Sequence, residues 1–210
     1  MEKAYRNLGY FLLLLIPLTF FGFYKTYFNQ FPTFSETAFF VQLHAGIAMI
    51  WILMLIIQPL MIRNRRVDLH RKIGKASYVI FPLLILSFIP QMISLAGSDR
   101  PKNLFFPLSD SILLISFYTL GIYYRSKAAL HMRYMIGTAL IFISPTVGRI
   151  FPFWFDFSDV LAQFVVYSIL FLLLISLILM DKKNGRNPEP YLLMLPFWIL
   201  HMIVFSIVFL

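Results

Sequence analysis

The stretch that decides the fold class is residues 38–62, AFFVQLHAGIAMIWILMLIIQPLMI, which contain no Asp, Glu, Lys or Arg. A helix needs about 20 mostly apolar residues to cross a hydrocarbon core roughly 30 Å thick, and this stretch is long enough. Six further apolar stretches, rich in Leu, Ile and Phe, lie on either side of it. The sequence therefore predicts seven transmembrane helices, at residues 8–27, 38–62, 73–96, 104–124, 132–153, 160–180 and 191–210.

The overall composition agrees with this interpretation. Of the 210 residues, 60% are hydrophobic and only 13% are charged. A soluble domain of this size cannot bury so much apolar surface, because much of any small domain is exposed. We therefore predict an all-α polytopic membrane bundle that forms a single transmembrane domain over residues 1–210. The absence of cysteine excludes disulfides, iron–sulfur clusters, c-type haem and a thiol nucleophile.

The basic residues predict an orientation in the membrane. Lys and Arg number 18 against 9 acidic residues, and they lie in short clusters between the apolar stretches. Fourteen of the 18 fall on the side of the N-terminus, in or directly beside the segments before span one, after span two, after span four and after span six. Since cytoplasmic loops are enriched in Lys and Arg, the N-terminus is predicted inside and the C-terminus outside. Charges distributed in this way favour a lipid bilayer as partner and argue against nucleic acid.

Two further features of the spans carry structural expectations. Prolines within them are expected to kink their helices, namely Pro17, Pro82, Pro90, Pro145 and Pro196.

Seven helices also raise the question of retinal, which forms a Schiff base with a lysine inside the bundle. The seventh span contains no lysine, so retinal is excluded.

One group of polar residues is predicted on the N-terminal side of the membrane: His70, Arg71, His131 and Arg133. Two imidazoles from two helix starts on one side can bind haem iron axially, or contribute to a copper site. The neighbouring arginines can then pair with haem propionates through bidentate hydrogen bonds. We therefore predict a cofactor site at these four residues, with haem b as the cofactor and any other metal left open. The alternative is a pair of interfacial histidines among lipid headgroups.

A second polar group is predicted on the opposite side and consists of His44, Asp110 and Arg149, with Gln91 and Gln163 nearby. An intramembrane Asp–Arg pair can be structural, because the charges neutralise each other and fix the helix register. It can also form a pocket for an anionic ligand or a transported solute. His201, in the middle of the seventh span, is expected to make a hydrogen bond between helices.

The chain also resembles prokaryotic integral membrane families that carry an HR-x-x-G signature. His44 is followed 26 residues later by His70-Arg71-Lys72-Ile73-Gly74, and His131-x-x-x-Met135 is followed by Arg149. These elements are similar to those of a small four-helix family implicated in cytochrome oxidase assembly, although their order is reversed here. The resemblance covers about residues 38–80 and 104–150. It implies a helical core with two histidine-bearing helices, an association with haem or the respiratory chain, and the prokaryotic cytoplasmic (inner) membrane as location.

Three functions remain open at this point. The first is a membrane protein that binds haem or a metal for electron transfer, haem handling or sensing. The second is a non-catalytic assembly or scaffold protein for a respiratory complex, favoured by short loops and by the absence of nucleotide-binding, zinc-protease and hydrolase motifs. The third is a small-molecule transporter that uses His44, Asp110 and Arg149.

Overall fold

The computed structural model describes residues 2–210, and every regular element in that range is helical. These residues form ten α-helices: α1 (Leu8–Leu12), α2 (Leu15–Phe23), α3 (Phe39–Arg63), α4 (Val67–Gly74), α5 (Ser77–Ala96), α6 (Phe105–Tyr123), α7 (Ala128–Ile141), α8 (Ile143–Phe155), α9 (Asp159–Lys183) and α10 (Glu189–Phe209). The predicted all-α class is confirmed.

Seven helical segments in the described part of the chain are long and apolar enough to cross a membrane, as predicted. They run over Lys3–Phe23, Phe39–Arg63, Ser77–Ala96, Pro101–Tyr123, Ala128–Phe155, Asp159–Lys183 and Glu189–Phe209. Their ends differ from the predicted ones by a few residues; the first span, for example, begins at Lys3 instead of residue 8. Such shifts arise because charged and polar residues continue a helix beyond its apolar part.

Helix α4 is a correction to the sequence analysis. The third span was expected to begin at residue 73, but residues 67–74 form a separate eight-residue helix and the span begins at Ser77. Leu69, His70 and Ile73 are half-buried on α4, whereas Arg71 and Lys72 are exposed. Apolar side chains on one side of a short helix and basic side chains on another side are typical of a helix that lies at a membrane surface.

Two helix breaks have a common physical cause in proline. Proline lacks the N–H that bonds to the carbonyl four residues earlier, and its ring crowds that carbonyl. Pro17 therefore leaves the carbonyl of Leu13 without its helical partner, and the first span breaks there into α1 and α2. In the same way Pro145 affects Ile141, the last residue of α7 before the break at Phe142. Pro82, Pro90 and Pro196 lie inside helices that continue through them.

The chain divides into two compact units, residues 1–111 and 112–210. In the first unit α3 packs against α5, with the rings of Trp51 and Phe81 5.2 Å apart and Leu84 fully buried. In the second unit α9 contributes the fully buried Leu170 and Leu174 to the core. Truncation of these buried side chains would remove their packing contacts and leave cavities, which destabilise the fold. Their packing therefore stabilises each unit. The single transmembrane domain predicted from the sequence stays a prediction.

An aromatic cluster lies on the connection between α2 and α3. The ring centroids of Phe20 and Phe28 are 5.1 Å apart, and those of Tyr27 and Phe34 are 4.8 Å apart. Aromatic rings are enriched where a membrane helix meets the headgroup layer. This end of the first unit thus has the composition of a membrane interface, and the other end, next to Arg63, is basic.

Candidate functional site

His70 and Arg71 lie on α4, at the basic end of the first unit. The side-chain amide of Gln58 on α3 donates to Nδ1 and to the backbone oxygen of His70, and its oxygen accepts from the backbone N–H of Gly74 at 3.1 Å. Because Nδ1 of His70 accepts this hydrogen bond, the proton of the neutral ring is on Nε2. Gln58 therefore fixes both the position of α4 against α3 and the tautomer of His70. Arg71 is exposed on the same helix.

His131 lies in the first turn of α7, within the second unit. Its Nδ1 donates to the backbone oxygen of Gly121 at 2.8 Å. That oxygen is in the last turn of α6, where helical carbonyls lack intrahelical partners, so the imidazole caps α6. Since a carbonyl only accepts, the proton is on Nδ1, and Nε2 carries the lone pair in the neutral ring. Metal-ligating histidines have this arrangement, in which the second ring nitrogen donates to a carbonyl or carboxylate.

Arg133 donates hydrogen bonds from all three of its side-chain nitrogens. Its Nε and Nη2 donate to the two carboxylate oxygens of Asp181 on α9, at 2.6 and 2.7 Å. A third donor, Nη1, bonds to the backbone oxygen of Ala129 at 2.8 Å. The side chains of the pair are 1% and 0% exposed. Arg133, expected to pair with a propionate, thus has an internal carboxylate as its partner.

The residues predicted on the opposite side are His44, Asp110 and Arg149. His44 on α3 donates from Nδ1 to Ser87 Oγ at 2.8 Å, since the hydroxyl proton of Ser87 goes to the backbone oxygen of Leu84 at 2.6 Å. Arg149 on α8 donates to the backbone oxygen of Pro145 at 2.8 Å. Asp110 is 7% exposed. His44 and Asp110 belong to the first unit and Arg149 to the second, so their role as one cluster stays a prediction.

The same division applies to the predicted haem site. His70 and Arg71 lie in the first unit, and His131 and Arg133 in the second. Within residues 2–210, no group of three or more His, Cys, Asp and Glu side chains is arranged to hold a metal ion. The cofactor site at these four residues therefore stays a prediction as well.

The sequence analysis missed two residues that hold the second unit together. Asp181 stands next to Lys182 and Lys183 at a span end, where it has the pattern of an ordinary loop residue. Tyr167 lies in a mostly apolar stretch, next to Ser168, and its hydroxyl shares a hydrogen bond of 2.8 Å with Nδ1 of His201. This bond joins α9 to α10 and confirms the expected interhelical bond of His201. No local sequence signal marks either partner, because the pairs are 48 and 34 residues apart.

These features define the class of the protein: a polytopic α-helical membrane protein whose buried polar side chains join helices. The sequence matches no protein-family model, and neither a curated protein nor a solved structure matches the chain. The resemblance to the HR-x-x-G families thus rests on the residues that carry it.

Proposed function

We propose that the chain is an assembly or scaffold protein of the prokaryotic cytoplasmic membrane, with its N-terminus inside and its C-terminus outside. The observation that carries the proposal is the fixed orientation of α9. Asp181 ties one end of this helix to Arg133 on α7, and Tyr167 ties its middle to His201 on α10. Two polar links at different heights prevent rotation of α9 about its axis, so the same face is always presented outward.

The outward face of α9 is apolar along most of its length. The exposed apolar residues on this face are Leu161, Leu172, Ile175 and Leu179, and the exposed Ser168 lies among them. The opposite face contains Leu170 and Leu174, both fully buried. An apolar stripe of fixed direction suits a transmembrane helix of a partner protein, since packing between membrane helices depends on shape and close contact. A subunit of a respiratory complex is the partner class that the sequence resemblance favours.

Site-specific photocrosslinking in the native membrane tests this proposal. A photoreactive phenylalanine analogue at Leu172 or Leu179 is expected to yield the same discrete protein adduct after illumination. The matched control is Leu86 on α5, which is 56% exposed but lies on a different helix. An unrelated membrane protein with the same probe is the second control. Only lipid adducts at Leu172 and Leu179, or the same adducts in the unrelated protein, would contradict the proposal.

Haem binding is the second candidate, and the hydrogen bond of His131 favours it. With Nδ1 donating to Gly121, Nε2 of His131 is in the state required of an axial ligand. His70, the other predicted ligand, fits less well because the amide of Gln58 places its proton on Nε2. Bound haem would supply one-electron redox chemistry, while His131 would orient it.

A visible spectrum distinguishes this candidate. Protein expressed with a haem precursor is expected to show a Soret band and sharp reduced α and β bands, both lost in His131→Ala. Lys183→Gln, which alters an exposed charge, is expected to leave the bands unchanged. A wild-type protein without a Soret band after haem supplementation eliminates the candidate.

A further inference from the structure

The basic end of the first unit contains an open groove next to the connection between α3 and α4. Residues 63–75 hold six Lys or Arg residues and one Asp. The groove has a volume of about 490 Å³ and is lined by four apolar side chains and two polar ones: Ile57, Leu60, Met61, Leu69, Asn64 and Arg66. We call it the Arg66 groove. Its lining thus combines an apolar surface with a cationic group.

The backbone around Arg66 has a defined geometry. Arg65 adopts a left-handed conformation with φ of 60°. The N–H of Arg65 bonds to the carbonyl of Ile62 at 3.1 Å, and the N–H of Arg66 bonds to that of Met61 at 2.9 Å. These two bonds form the Schellman motif that ends α3. Together with the Gln58 amide, which holds α4, the motif fixes both walls of the groove.

Two neighbouring arginines have different roles here. Arg63 donates to the backbone oxygen of Arg6 at 3.0 Å and to Asn7 Oδ1, and its guanidinium lies 4.9 Å from the centre of the Tyr10 ring. It therefore fastens the start of α1 to the end of α3. Arg66 is exposed, and among residues 2–210 its guanidinium has no hydrogen bond or ion pair. The charge of Arg66 is therefore available to a ligand, whereas the guanidinium of Arg63 already contacts Arg6, Asn7 and Tyr10.

We infer that the Arg66 groove binds an anionic phospholipid. The phosphate of the headgroup would interact with Arg66 and Asn64, and an acyl chain would lie against Leu69 and the apolar residues of α3. Clustered basic residues beside a membrane helix attract anionic headgroups, each by an amount equivalent to about a fivefold change in affinity. A zwitterionic lipid would fill the apolar part of the groove but carries no net charge to pair with Arg66. Free phosphate would pair with Arg66 but would leave the apolar part unfilled.

Native mass spectrometry of the purified full chain in detergent tests the inference. Phosphatidylglycerol and phosphatidylcholine with identical acyl chains are titrated separately, and inorganic phosphate is added as a competitor. We expect tighter binding of phosphatidylglycerol, with little competition from phosphate at an equal concentration. Equal binding of the two lipids, or displacement of the lipid by inorganic phosphate, overturns the inference.

Four variants locate the binding. Arg66→Gln is expected to weaken phosphatidylglycerol binding about fivefold, and Arg66→Lys to keep it within about twofold of wild type. Leu69→Asn is expected to weaken both lipids. The matched control is Lys183→Gln, which removes one exposed charge from the second unit. If Lys183→Gln lowers the affinity as much as Arg66→Gln, the effect is general electrostatics and the groove is not the site.

Discussion

At the scale of single residues, the main question is how the buried ion pair of Arg133 and Asp181 offsets the cost of removing its charges from water. Transfer of two charges out of water costs several kcal/mol for each ion, and that cost is offset only when geometry and additional hydrogen bonds are good. Here the guanidinium bonds to both carboxylate oxygens and also to the backbone oxygen of Ala129. The arrangement meets that condition, and it links α7 to α9.

A double-mutant comparison tests the role of this pair. Arg133→Met or Asp181→Leu alone is expected to destabilise the protein by about 3–5 kcal/mol, because each leaves one buried charge without its partner. The double variant with both substitutions is expected to recover most of this loss. The measurement is the midpoint of thermal unfolding in detergent, with the exposed Lys182→Gln as control. A double variant as unstable as the sum of the single variants would show that the two residues act independently.

Arg65 offers a second prediction at this scale. A non-glycine residue in the left-handed region costs about 1–2 kcal/mol relative to its ordinary conformation, and glycine avoids this cost. Arg65→Gly is therefore expected to raise the unfolding midpoint slightly. Arg66→Gly, one residue later at ordinary φ, serves as the comparison and should lower it. A fall in the midpoint for Arg65→Gly would mean that the arginine side chain stabilises the turn by more than its backbone strain costs.

At the scale of helices, the packing of α1 on α3 depends on a glycine. A Cβ added at Gly9 would lie 2.6 Å from two side-chain atoms of Leu60 and 3.2 Å from the backbone oxygen of Ile56. One of the two Leu60 atoms is Cγ, near the α3 backbone, and the carbonyl of Ile56 belongs to that backbone. The close approach of the two helices therefore requires a residue without a side chain at this position.

This contact predicts opposite effects at two glycines. Gly9→Ala is expected to destabilise the protein by about 1–3 kcal/mol through overpacking. Gly46→Ala on α3 is expected to be neutral or stabilising by about 0.5–1 kcal/mol, since no atom of the described residues lies within 4 Å of the added Cβ. Thermal unfolding midpoints of the two variants in the same detergent provide the comparison. Equal effects at both positions would show that the α1–α3 contact is looser than described.

At the scale of the whole molecule, the orientation in the membrane can be measured directly because the chain has no cysteine. Ser35→Cys and Ser126→Cys each introduce one exposed thiol, in the connections after spans one and four. With the N-terminus inside, a membrane-impermeant maleimide should label Ser35→Cys in intact cells and Ser126→Cys only after permeabilisation. The wild-type chain is the blank. The reverse labelling pattern would contradict the proposed orientation.

Much of the fold followed from local properties of the sequence. Span number and helical class depend on hydropathy summed over about 20 consecutive residues, and such a sum needs no knowledge of distant contacts. The helix break near Pro145 is local in the same sense, because it involves only the carbonyl four residues earlier. Helix α4 escaped prediction because its eight residues are too short and too charged to produce a hydropathy signal.

The tertiary structure decided which polar groups meet. Arg133 and His131 are close together in the sequence. No residue near them indicates that Arg133 pairs with Asp181 or that His131 bonds to the carbonyl of Gly121. His70 and His131 looked alike in the sequence, yet Gln58 and Gly121 give their rings opposite tautomers. Hydrogen bonds act over about 3 Å between residues that are far apart in the chain, so their partners depend on how the helices pack. Hydropathy, in contrast, is a property of each segment by itself, and for this reason the sequence alone determined the seven spans.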